Sequence, residues 1–192
     1  MVKRTYLKSK LLIAMPGIQG DDFAGSVVFM CAHNAEGAMG LVINKPAPRM
    51  IFSDIAEKLD VKPTNAMIAD DILQMPILFG GPVKQFQGFV LHSPDYKSDD
   101  SLVVSPEFIL SSTIDILREI AKGHGPKRKL LALGYAGWAA GQLENEIMHN
   151  GWLHCDADSD LVFSGNAQGL HSAALAKLGV DPRMLSSQAG HG

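Results

Sequence analysis

Apolar residues fall along this chain in short runs that glycine and proline interrupt repeatedly. The first, Leu11–Met15, is uninterrupted and predicts a buried strand. Pro16 to Gly25 carries proline, glycines and two aspartates and reads as a loop. Ser26–Ala32 is apolar on both faces, with Val27, Phe29 and Cys31 on one and Val28, Met30 and Ala32 on the other. A strand of that kind is covered on both sides. His33-Asn34-Ala35-Glu36-Gly37 is a connector, and Ala38–Asn44 is the returning arm of a hairpin. Lys45-Pro46-Ala47-Pro48 should end it, because proline cannot donate to a ladder.

Further along, Ser53 suits the N-cap of a short helix over Asp54–Leu59, and Lys62-Pro63-Thr64-Asn65 breaks it. Met67–Gln74 fits neither period decisively. Strands are predicted at Ile77–Phe79, Gly88–His92, Leu102–Val104 and Phe108–Leu110, with a sharp break at Gly80-Gly81-Pro82. Ser112 and Asp115 have capping-box spacing and open a helix to Lys122, which Gly123 ends. A strand over Lys129–Tyr135 and a helix over Gln142–Asn150, with Gly151 as its C′ residue, come next. Leu161–Phe163 reads as a last strand and Ala167–Leu178 as a last helix. Strands and helices alternate irregularly, so the fold class is α+β with a mixed sheet. Residues 1–185 read as one compact domain and 186–192 as a flexible tail.

Composition narrows the function classes. With 17 Lys and Arg against 20 Asp and Glu, the net charge is −3, and 46% of the 192 residues are hydrophobic. That excludes global disorder. An isoelectric point near 6.1 argues against a polybasic nucleic-acid binder. Cys31 and Cys155 are too few for a disulfide framework and read as free thiols of a reducing compartment. Lys3, Arg4, Lys8 and Lys10 before Leu11–Met15 imitate a signal peptide, but Pro16-Gly17 stops the run and no cleavage site follows. No apolar stretch is long enough for a membrane helix. The expectation is a soluble cytoplasmic protein.

Several residues could carry chemistry. His33 and Asn34 sit at a strand end, where sites are common, although Asn34 also suits the turn itself. Cys31, His33, His154 and Cys155 are the right types for zinc but lack its usual spacings, so no metal is expected. Gly80-Gly81 could admit an anion or a close partner backbone, without the residues of a phosphate loop. Gly134-Tyr135-Ala136-Gly137-Trp138 followed by Gly141-Gln142-Leu143-Glu144 is the most distinctive block. There Tyr135, Trp138, Gln142 and Glu144 could line a cleft, while Leu143 and Ile147, four apart, should face the core. Glu144 and Glu146, two apart, point to different helix faces and cannot act as a carboxylate pair. Trp138 and Trp152 could bracket that helix as packing anchors. There is no Gly-x-Ser-x-Gly elbow, and Lys127-Arg128-Lys129 is a weak basic patch with no recognition helix beside it.

Three segments together carry a family resemblance: LIAMPGIQGDDFAGSVVFMCAHNAEGAMGLVINKP at Leu12–Pro46, FGGPVKQFQGFVLH at Phe79–His92, and LGYAGWAAGQLENEIMHNGWL at Leu133–Leu153. Their order and length resemble the AlgH/YqgE family over nearly the whole chain. One departure lies in the first loop, Gly20-Asp21-Asp22-Phe23-Ala24-Gly25-Ser26, where the family more often has proline after the aspartate. The resemblance implies a coiled, largely antiparallel sheet or partial barrel surrounded by helices. It also implies a regulatory role connected with alginate production, with no reaction, substrate or cofactor attached.

The reading is a cytoplasmic binding or regulatory protein without catalysis, using no cofactor and meeting a protein or small-molecule partner. Its candidate surface comprises His33, Asn34, Asn44, Gly80, Gly81, His92, Tyr135, Trp138, Gln142 and Glu144. One alternative is a regulator that binds DNA directly, which the charge disfavours. Another is a hydrolase-like enzyme using His33 or His92 with Glu144.

Overall fold

The computed structural model describes residues 6–58, 60 and 70–185. Among them are strands β1 (Lys10–Ala14), β2 (Val27–Asn34), β3 (Gly37–Val42), β4 (Pro46–Ile51), β5 (Pro76–Phe79), β6 (Val83–His92), β7 (Leu102–Ser105), β8 (Phe108–Ser111), β9 (Lys129–Ala139) and β10 (Trp152–Asp156). The helices are α1 (Phe52–Lys58), α2 (Asp70–Leu73), α3 (Ile114–Ala121), α4 (Gln142–Met148), α5 (Ser159–Val162) and α6 (Ala167–Lys177). The strands form one curled sheet in the order β10-β1-β2-β3-β9-β6-β8-β7. β5 joins β9 in parallel, β4 pairs with β5, and the other pairings are antiparallel. This is the single α+β domain that the sequence pattern predicted, with the coiled, largely antiparallel sheet that the family resemblance implied. No helix among the described residues is long and apolar enough to cross a membrane.

β2 shows why the doubly apolar pattern was informative. Val27, Phe29 and Cys31 enter one core cluster, with Leu11, Phe108, Leu110 and Leu175. Val28 and Met30 enter a second cluster, with Leu12, Trp138, Leu143 and Trp152. A third cluster packs α1 and α3 on Val90 and Leu131.

β9 connects all three clusters. Its first part lies between β5 and β6, and its last residues, Ala136 to Ala139, pair with β3. Gly134 (φ +72°) changes the phase of the strand. Before it, Leu130 and Ala132 face the first cluster and Leu131 and Leu133 the third. After it, Tyr135 packs on the first cluster while Ala136 and Trp138 turn into the second. Only glycine takes this conformation cheaply. A Cβ at Gly134 would also meet the carbonyl oxygen of Gly81 at 2.3 Å.

Several local expectations are corrected. Pro46 opens β4 rather than merely ending a hairpin, because it stands on an edge where a missing N–H costs no ladder bond. Ser53 lies inside α1, and the carboxylate of Asp54 takes the N–H of Ile51 instead (2.9 Å). The N-cap of α3 is Thr113 rather than Ser112, and its side chain makes no capping bond. Leu161–Phe163 is not a strand: Asp158 caps α5 by accepting from Leu161 N (2.8 Å). β9 runs on to Ala139, so Trp138 is a strand residue, and β10 was not anticipated. At the end of α4, Asn150 (φ +57°), not Gly151, holds the left-handed position. Gly151 N then bonds Glu146 O and Asn150 N bonds Ile147 O, closing a Schellman motif. Leu59, Lys62 to Asn65, the first part of Met67–Gln74 and the 186–192 tail lie outside the described residues.

Candidate functional site

The distinctive block around Trp138 forms a cleft between the first loop, the end of β9 and α4. The loop is held by the motif that follows β3. Asn44 Oδ1 accepts from Val27 N (2.7 Å) and Asn44 Nδ2 donates to Gly25 O (3.0 Å). Lys45 Nζ donates to Asp21 O and Asp22 O. Burial pushes the Lys45 amine below its ordinary range, against the opposing pull of the Asp22 and Asp21 charges. These bonds set Phe23 over the two indoles, with ring centroids 6.3 Å from Trp138 and 5.9 Å from Trp152.

Trp138 and Trp152 meet edge to face at 6.0 Å, a preferred aromatic geometry. Both indole N–H groups converge on one oxygen: Glu146 Oε2 accepts from Trp138 Nε1 (2.9 Å) and Trp152 Nε1 (2.8 Å). Gln142 Nε2 donates to the other oxygen, Glu146 Oε1 (2.9 Å), and Gln142 Oε1 accepts from Ala139 N (3.0 Å). The carboxylate is therefore held by three neutral donors, and no cation pairs with it among the described residues. With Ile18, Gln19 and His149 these groups border a cleft of about 320 Å³.

Glu144 leaves the opposite side of α4 and meets His33. Its Oε1 lies 3.2 Å from His33 Nε2, and the histidine side chain is only 1% exposed. The other ring nitrogen, Nδ1, accepts from Leu7 N (3.0 Å). Because an amide N–H can only donate, Nδ1 is unprotonated and the proton resides on Nε2, which donates to Glu144. Tyr6 covers the ring edge to face at 5.3 Å.

The structure thus gathers Trp138 and Gln142 at the cleft, with His33 and Glu144 paired beside it. Glu146, absent from the candidate surface, is its hub. The Glu-x-Glu spacing at 144 and 146 was the available signal, since it sends the second carboxylate toward the tryptophans. Other candidates do not join. Tyr135 packs edge to face on Phe89 (5.9 Å) in the core. Asn34 accepts from Glu36 N (2.8 Å) and serves its own turn. Gly80 and Gly81 are buried against β9, where Cβ atoms would meet Gly134 O at 2.3 Å and Tyr135 C at 2.2 Å. The close partner those glycines admit is the chain's own backbone.

His92 is remote as well. Its β9 partner is Lys129, nine residues from Trp138 along the strand, roughly 30 Å at strand rise. His92 and Glu144 do not meet: the His92 ring bonds Ser93 and Ser111, and Glu144 bonds His33. His92 Nδ1 donates to Ser93 O (2.9 Å), and Nε2 accepts from the Ser111 hydroxyl (2.9 Å), which a bond to Ser101 continues (2.7 Å). Burial holds the imidazole below its ordinary value of 6.5, against the Ser93 carbonyl and the Asp95 charge.

The zinc candidates are dispersed. Cys31 is fully buried and its thiol is pushed up to about 12 by burial, opposed by Lys8. Adjacent His154 and Cys155 lie on opposite faces of β10, one exposed and one buried. No group of three or more His, Cys, Asp or Glu could hold a metal among the described residues.

A curled α+β domain with an indole-clamped carboxylate at the end of its longest strand is what the geometry defines. The AlgH-like family model (DUF179) matches residues 11–183, and the chain belongs to that family. It is 51% identical over 189 residues to a UPF0301 protein of Rhodopseudomonas palustris strain HaA2, covering 97% of this chain and 87% of the relative. A UPF0301 protein of Methylobacterium nodulans is 50% identical over 190 residues, covering 97% and 90%. The solution structure of the AlgH protein from Pseudomonas aeruginosa matches with a TM-score of 0.78 at 41% identity, covering 100% of this chain and 99% of that one. A Corynebacterium diphtheriae protein shares the fold at a TM-score of 0.71 and 17% identity, covering 96% and 92%.

Proposed function

We propose that this chain is a binding protein that acts through a protein or small-molecule partner seated at the Trp138–Glu146 cleft, with a regulatory output and without catalysis. The observation that carries the reading is the state of His33. In a base assisted by a carboxylate, the nitrogen turned away from the carboxylate faces the proton to be removed. Here that nitrogen already accepts from the Leu7 amide N–H (3.0 Å), whose proton is too weakly acidic to be transferred. Glu146 is likewise engaged by three donors. Rigid polar groups around an aromatic cleft suit recognition.

The hydrolase alternative draws on the 3.2 Å approach of His33 and Glu144, and the orientation of the ring weighs against it. Direct DNA binding loses support because two of the three basic side chains of the cluster are engaged internally: Arg128 bonds Ser159 and Asp160, and Lys129 bonds Pro126 O. A regulatory effect through a partner fits better.

The test is capture of partners by the wild type and by a Gln142→Arg, His149→Glu double variant, which changes only exposed cleft residues. Partners should be retained by the wild type and lost by the variant. An identical set from both would overturn the assignment of this surface. Because Trp138 and Trp152 are the chain's two tryptophans, intrinsic fluorescence reports small ligands at the same place.

A further inference from the structure

The opposite end of β9 holds a second opening, apart from the cleft. Gly88 of β6 stands opposite Leu133 and Val90 opposite Leu131. Val90 and Leu131 are covered by α1 and α3 in the third core cluster. At Gly88 the layer has no side chain, and a Cβ there would meet no atom within 4 Å. The gap is a cavity of about 370 Å³ bordered chiefly by Met50, Ile55, Leu117, Leu133 and Phe86. That volume falls among small-molecule sites, roughly 300–1,000 Å³. Phe86, at the lip, is 99% exposed, a costly place for a large apolar ring.

Among the described residues, three polar side chains border the cavity. Lys58 borders it and has no ion-pair partner among the described residues. Ser112 and Thr113 also border it, and the Thr113 side chain makes no capping bond. Asp54 and Glu57, the acidic residues of α1, do not line the cavity. One cation and two hydroxyls beside an apolar hollow complement a ligand with an apolar body and one anionic end. We propose that this cavity binds a free single-chain carboxylate amphiphile of medium length, its acyl chain over Gly88 and its carboxylate at Lys58.

The experiment is calorimetric titration of the whole chain with sodium decanoate and with decanol, both below their aggregation limits. Decanoate should bind at one saturable site about tenfold more tightly than decanol, the difference a charge-assisted contact supplies. Gly88→Leu should abolish binding of both by filling the cavity. Lys58→Gln should remove the advantage of decanoate and leave decanol unchanged. Lys58 is exposed, so this variant keeps the test decisive if Gly88→Leu fails to fold. The proposal is overturned by the absence of saturable binding, by equal affinities of the wild type for the two probes, by decanoate binding that survives Gly88→Leu, or by a decanoate advantage that survives Lys58→Gln. It is also overturned by a concentration-dependent dimer that Phe86→Ser dissociates, which would make a second copy the occupant.

Discussion

The two ends of β9 solve the same packing problem in opposite ways. At its C-terminal end, Trp138 is nearly buried and its indole N–H finds Glu146, as does that of Trp152. At its N-terminal end, Leu131 and Leu133 face a hollow where Gly88 contributes no side chain. One end is closed by directional bonds around a carboxylate, and the other is apolar and underfilled. Gly134, between them, turns the strand from one environment into the other. The closed end follows from the phase change, which turns Trp138 into the second cluster, and the free volume follows from the side chain that Gly88 lacks.

The comparison breaks most severely at the turn that carries the chain from β5 across β9 into β6. Gly81→Ala would drive a Cβ to 2.2 Å from Tyr135 C at φ +148°, and should cost about 4 kcal/mol or more, among the larger effects of single substitutions. Denaturant unfolding measures it, and a loss below about 1 kcal/mol would mean the crossing relaxes. Next is the closed end. Glu146→Leu strands two indole N–H groups and should cost about 3 kcal/mol, whereas Glu146→Gln, which keeps an acceptor, should cost about 1 kcal/mol. Equal losses from the two substitutions would show that the carboxylate acts by volume alone.

The third expectation concerns acid. Burial lowers the folded-state value of His92 from its ordinary 6.5, so below that pH the unfolded chain binds the extra proton. This contribution to stability is intact above pH 6.5 and declines as pH falls, with a slope of at most about 1.4 kcal/mol per pH unit for one proton. Urea midpoints from pH 7.5 to 5 should fall more steeply for the wild type than for His92→Asn. The smallest effect has the opposite sign. Gly88→Ala places a methyl in open space without positive φ, and should stabilise by about 0.5 kcal/mol. A destabilised Gly88→Ala would contradict the description of the N-terminal end as underfilled.

Much of the fold was legible because it follows the period of apolar residues. β2 reads correctly on both faces from Val27 to Cys31, before the register shift that separates Ala32, and Leu143 with Ile147 lies on the core side of α4 as its spacing required. Elements decided by single polar atoms were not legible in this way. Asp158 turns Leu161 and Val162 into a helix by one side-chain bond, and an edge position admits Pro46 to a strand. The candidate site divides likewise. Trp138, Gln142, His33 and Glu144 are drawn together by α4, which local spacing specifies. His92 and Tyr135 are directed elsewhere by register and by the phase change at Gly134, long-range facts that no local window holds. Glu146 was missed because its role needs two tryptophans fourteen residues apart in sequence to meet across β9 and β10.

The most direct test of the central claim is the position of the proton on the His33 ring, read from long-range ¹H–¹⁵N correlations. The account predicts a proton on Nε2, with Nδ1 unprotonated and accepting from the Leu7 amide, so that no ring nitrogen is free to act as a base. A proton on Nδ1, with Nε2 open toward the cleft, would contradict it and restore the catalytic alternative.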